Sequence, residues 1–353
     1  MSIKTSRRRW LLSASIAAAA LSPIAAEPPS AEPSLRLAGS SLPIATKSIR
    51  LGGSDQNRTV VTAIAADPRG EFVAAAGDDH VIRILRTSNL TTVQTLEQHR
   101  DVIRTLVFDP EGRSLVSAGN DGQLIVWDRD AAFRVLQRMQ GTPALACVRF
   151  SPDALDLVAV GFDNQVFLMG RSGSKQPILE CDCKDLRAVA YRDDNELIAV
   201  AGRSGNLHLF DRRSGRLQGE HELHRARIHG IAFHRQSNTA VCVAEDGSVS
   251  VFDTTNRQLI RRIPVTTGKL FCVTVLNSQL IAVAGSDNLI WIVNTDDGSL
   301  IRKLEGHSGT VSTLASSGGL LFSGSYDASL RRWSIGDIGS SPQRIAEGDP
   351  RFD

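Results

Sequence analysis

Histidine, serine and aspartate recur together in this 353-residue chain at spacings that invite a chemical reading. His99, Ser117 and Asp121 form one set, and His307, Ser323 and Asp327 form another. A nucleophile, a base and an orienting carboxylate are the parts of hydrolytic machinery. Each set, however, is followed by a tryptophan, Trp127 and Trp333, that hydrolysis does not require. An indole N–H in a half-buried strand needs an acceptor, and a linked chain of polar groups locks turns more firmly than isolated pairs do. The sequence also has no Gly-x-Ser-x-Gly elbow, no P-loop, no His-Glu-x-x-His and no Cys-x-x-Cys-His. The sets are therefore read as structural rather than catalytic. No catalytic residue, metal ligand or cofactor is assigned.

These residues need elements to position them, and the stretch His99–Asp128 supplies the pattern. Thr105–Phe108, Leu115–Ala118 and Leu124–Trp127 read as three strands, with a fourth at Phe133–Leu136. The turn Asp109-Pro110-Glu111-Gly112 separates the first two, and Asn120-Asp121-Gly122 is a strong hairpin signal before the third. The hairpin aspartate recurs as Asp79, Asp121, Asp163, Ser204, Asp246, Asp287 and Asp327, at steps of 40 to 42 residues. Beyond each lies a large apolar residue: Leu85, Trp127, Met169, Phe210, Phe252, Val293 and Trp333. Two columns in register over seven units define a repeat.

The unit His99–Asp128, with its His99, Ser117, Asp121 and closing Trp127-Asp128, resembles one WD repeat, a family of four-stranded propeller blades. The resemblance implies that His99, Ser117, Asp121 and Trp127, and likewise His307, Ser323, Asp327 and Trp333, form hydrogen-bonded structural tetrads within an all-β, seven-bladed propeller of antiparallel blades spanning residues 48–337. It also implies a closed ring, since an open array would leave an unpaired edge. Ser48–Leu51 is expected to be the outer strand that completes the last blade, with Pro342–Ala346 as a competing candidate. Met169, Ser204 and Val293 interrupt the tetrad pattern, so the middle blades are expected to depend more on apolar packing.

Residues 1–26 carry a basic start (Lys4, Arg7–Arg9), an apolar run from Trp10 to Ala20, and Ala25 and Ala26 after Pro23. This pattern reads as an export signal. Ser6–Leu12 resembles the twin-arginine type, which implies an exported, bacterial envelope protein. A retained anchor is the rival for this segment, with no membrane span expected in the mature chain. Residues 27–47 read as a Pro/Ser/Ala-rich linker and 338–353 as a tail. Cleavage after Ala26 would lower the basic residues from 40 to 36 against 38 acidic ones, which argues against a nucleic-acid partner. Five cysteines cannot all pair internally. Cys147, Cys242 and Cys272 lie in apolar strand segments, whereas Cys181 and Cys183 alternate near an edge.

Propellers of this family resemble one another in presenting, on the narrow face, the residue before each hairpin aspartate and one at the start of each first strand. Carried over by position, these columns single out Phe162, Arg203, Arg227, Lys269 and Tyr326. Aromatic and arginine side chains concentrate interface energy, and Arg203, Arg227 and Lys269 fall on consecutive blades. The expectation is a monomeric, non-enzymatic scaffold for another protein bearing an acidic patch. An envelope enzyme or small-ligand binder using the central funnel, and a cytoplasmic scaffold, are the alternatives.

Overall fold

Short β-prone runs joined by tight turns can bury their apolar faces only against further copies of themselves, and the chain solves this by radial repetition. The computed structural model describes residues 44–52, 58–170, 179–180, 185–235 and 237–336. Among them 28 strands form seven four-stranded antiparallel sheets, without a helix. The export signal, the linker before residue 44, Cys181, Cys183 and the tail with Pro342–Ala346 lie outside the described residues. Among the described residues no helix is long and apolar enough to cross a membrane.

The second blade shows the plan. Its strands are Ile103–Phe108, Ser114–Gly119, Leu124–Asp128 and Arg134–Met139, ordered from the axis outward. The second strand is buried at every position because neighbouring blades cover both of its faces. The outermost strand alternates exposed and half-buried residues. Each inner strand packs on the inner strand of the next blade, and Val61–Ala66 of the first packs on Val311–Ser317 of the seventh. The core is accordingly not one mass but seven apolar layers, one between each pair of adjacent blades.

Closure is by the N-terminal strand, with one correction. The strand is Thr46–Arg50, so Thr46 and Lys47 belong to the seventh blade and not to the linker, while Leu51 lies past the strand end. It pairs antiparallel with Ser329–Ser334, from Thr46 opposite Trp333 to Arg50 opposite Ser329. An edge strand exposed at most positions has little apolar signal to mark its start. Leu51 instead anchors the closure, buried with Val61, Phe322 and Leu330 in the layer between the last and first blades.

One irregularity recurs in every blade. Where the inner strand begins to pair with the second, the register slips by one residue, leaving Thr62, Arg104, Ala146, Arg187, His229, Phe271 and Ser312 as the extra residues. Bulges of this kind redirect a side chain out of the alternation of its strand. Here all seven are half-buried and face the propeller axis.

Candidate functional site at the channel mouth

The tetrads assemble as the sequence implies. Trp127 Nε1–H donates to Ser117 Oγ at 2.9 Å, Ser117 Oγ lies 2.8 Å from His99 Nε2, and His99 Nδ1 lies 2.9 Å from Asp121 Oδ2. The corresponding distances for Trp333, Ser323, His307 and Asp327 are 2.9, 2.7 and 3.0 Å. Both serines are completely buried and already engaged by an indole, so neither hydroxyl can reach a substrate. Burial lowers the pKa of His99 against the opposing attraction of Asp121, favouring the neutral ring. These groups hold turns.

Sequence reading missed a third, shortened chain. In the fifth blade His224 Nδ1 lies 2.9 Å from Asp246 Oδ2, but Cys242 and Phe252 stand where the second and seventh blades have serine and tryptophan. His224 Nε2 is buried without a partner as a result. In the sixth, Trp291 bypasses the chain and donates directly to Asp287 at 2.9 Å. Among the free cysteines, Cys147 and Cys242 are buried and Cys272 is half-buried; burial pushes the Cys242 thiol up to about 12. Among the described residues no group of His, Cys, Asp and Glu is placed to hold a metal ion.

The groups placed to meet a ligand lie around the axis. A cavity of about 260 Å³ is lined by Thr62, Arg104, Ala146, Arg187, His229, Phe271, Ser312 and Tyr326. Seven of these are the bulge residues, two positions further along the chain than the column singled out from sequence. The period was visible, but strict strand alternation gives no warning of an inserted residue. Phe162 and Tyr326, 38% and 53% exposed, border the same region. Phe162 lies beneath the Arg187 guanidinium, 4.2 Å from ring centroid to carbon.

The sector expected to be basic is a lattice of mixed charge. Arg227 pairs with Asp185 at 2.6 Å and with Glu245 at 3.2 Å, and Lys269 reaches Glu245 at 3.0 Å. Acids occupy the same two sequence columns as the cations, so neighbouring blades interleave them. Glu245 also accepts from His229 Nε2–H at 2.9 Å, and that bond, with the one from Lys269, holds its carboxyl near a pKa of about 2. Burial lowers the pKa of His229 itself. Arg203 is exposed and makes no ion pair among the described residues.

A closed seven-bladed ring of four-stranded sheets, pinned in two blades by indole-to-carboxylate chains and carrying its varied side chains at the axis, is a β-propeller. Residues 47–85, 90–128 and 298–334 match the WD40 family, described as WD domain, G-beta repeat, and the last two segments contain the complete tetrads. The chain is similar to zinc finger CCCH domain-containing protein 62 of Arabidopsis thaliana, 24% identical over 45% of this chain and 39% of that protein. It is also similar to U3 small nucleolar RNA-associated protein 21 of Saccharomyces cerevisiae, 23% identical over 42% of this chain and 16% of the relative. A third relative, actin-interacting protein 1 of Drosophila melanogaster, is 25% identical over 43% of this chain and 26% of its own length. The chain thus spans well under half the length of each.

Proposed function

We propose that this propeller is a monomeric, non-enzymatic platform that binds another protein on the face bearing the hairpin aspartates. The observation that carries the reading is convergence. Seven bulges aim chemically different side chains at one mouth, and the exposed rings of Phe162 and Tyr326 border it. Ring closure holds these groups in place before binding, so association loses little conformational entropy. Two similar proteins are named for association with a small nucleolar RNA and for interaction with actin, which favours assembly over catalysis. A near balance of charge disfavours nucleic acid as the partner here, and the pairing of Arg227 and Lys269 leaves Arg203 as the cation of that sector free to meet an acidic patch.

Export to a bacterial envelope belongs to the same proposal, supported by Lys4, Arg7–Arg9 and the apolar run that follows. Cell fractionation with N-terminal sequencing decides it, and an intact N-terminus on a soluble intracellular product would exclude it.

The platform is tested by affinity capture with the wild type and a Phe162→Ala, Arg203→Glu, Tyr326→Ala variant shown by circular dichroism to be folded. One protein retained by the wild type and lost from the variant is the expected result. Identical captures from both would remove this face as the binding surface.

A further inference from the structure

We propose that the channel mouth is a binding site for a single oxyanion, a carboxylate or phosphate group, held between the guanidiniums of Arg104 and Arg187. The inference stands apart from the platform reading, because a free anion would fill the same place as one carried on a bound chain. Three observations lead to it.

The first is placement. Arg104 and Arg187 are the bulge residues of the second and fourth blades, and the bulge residue of the blade between them is Ala146, whose side chain is a methyl group. Two arginines therefore flank a gap in the ring. The enclosing cavity, at about 260 Å³, suits one small polar group and its water better than a drug-sized molecule.

The second is the accounting of donors. The hydroxyls of Thr62 and Ser312 are committed to the backbone carbonyls of Ile103 and Val61. His229 is committed to Glu245. Arg104 spends Nε on Asn120 Oδ1 at 3.0 Å, and neither of its Nη groups bonds to a described residue. Arg187 Nη2 lies 2.7 Å from Asp185 Oδ1 as an ion pair without hydrogen-bond geometry, and its Nε is buried without a partner. Buried donors left unmade are costly, and the guanidinium fork matches an oxyanion bidentately. Stacking on Phe162 fixes the plane of the Arg187 fork.

The third is charge. Arg104, Arg187, Arg227 and Lys269 have only Asp185 and Glu245 as ion-pair partners among the described residues, two carboxylates for four cations. Burial lowers the pKa of Arg187, and Arg227 and Arg104 add like-charge repulsion that Asp185 only partly offsets. An anion between the two guanidiniums would relieve that repulsion.

The test uses the full chain at fixed ionic strength, with calorimetric titration and thermal melting in inorganic phosphate, glutarate, hexaglutamate and chloride. An oxyanion at about tenfold above its Kd is expected to raise Tm by about 3 °C, with no such rise in chloride. Arg104→Gln and Arg187→Gln are each expected to weaken binding at least about tenfold, as loss of a charged hydrogen bond does. Glu245→Gln is expected to tighten it, a gain that loss of a merely structural group would not produce. Equal affinity for glutarate and hexaglutamate would identify a free anion as the occupant, and tighter hexaglutamate binding one carried on a chain. Absence of any oxyanion effect on the wild type, or undiminished affinity in a folded Arg104→Gln variant, would overturn the site. Neither result bears on capture by the Phe162 and Tyr326 surface, so the two readings fail separately.

Discussion

The order of protons along the Trp127, Ser117, His99 and Asp121 chain is dictated by its ends. An indole can only donate and a carboxylate can only accept, so the hydroxyl must pass its proton to His99 Nε2 and the ring must give Nδ1–H to Asp121. Only a neutral imidazole satisfies every group. Removing one member therefore costs more than its own bond. Ser117→Ala orphans two buried nitrogens and is expected to lose about 2 to 3 kcal/mol, and Trp127→Phe about 1 to 2 kcal/mol from the lost bond and the smaller ring. The double variant resembles the fifth blade, where Cys242 replaces the serine and Phe252 leaves no indole to satisfy. Its loss is expected to fall about 1 kcal/mol short of the sum of the two, read by a double-mutant cycle in urea. Strict additivity would mean that the bonds act independently. The complete tetrads were legible in the sequence because all four members are distinctive types in fixed columns. The fifth was not, since Cys242 and Phe252 read as ordinary core residues.

At the scale of strands, the repeat period told where each blade lies but not how its inner strand bends. Alternation places Val102 and Arg104 on the same face, whereas the bulge before Thr105 turns Arg104 toward the axis. Side-chain pattern carries no mark of such an inserted residue, which explains why the columns read from sequence include Phe162 and Tyr326 but pass over Arg104 and Arg187. Closure was legible because seven blades of four strands require it, although the start of the closing strand was not. Its stability should rest on Leu51, because the strand itself is mostly exposed. Leu51→Ala is expected to destabilise the ring by about 3 kcal/mol through the cavity left beside Phe322 and Leu330. Chemical denaturation checks this. A loss below about 1 kcal/mol would show that backbone pairing from Thr46 to Arg50 closes the ring without its apolar anchor.

Seven layers in a ring share each blade between two interfaces, so titration inside individual blades should register in the stability of the whole. His99, His224, His229 and His234 all have lowered pKa values, and burial is the largest cause in each. The unfolded chain takes up protons on these side chains near pH ~6.5, while the fold resists doing so until lower pH. Stability should therefore fall as the pH drops below about 6.5. A second decline should follow below about 4, where Asp121, Asp246 and Asp327 become protonated in the unfolded chain but stay charged in the fold, their pKa values lowered by hydrogen bonds despite burial. The first decline is diagnostic. If the attraction of Asp121 and Asp246 outweighed burial, the histidines would be cations with raised pKa values and acidification toward pH 5.5 would strengthen the fold. Calorimetric melting at pH 7.5 and 5.5 separates the cases: a lower Tm at pH 5.5 supports neutral relays, and a higher one would make the same residues ion-pair partners. Glutamine at position 229 keeps an N–H for Glu245 but cannot titrate, so His229→Gln is expected to make this first decline shallower, with His99, His224 and His234 still contributing, while leaving the fall below pH ~4 in place.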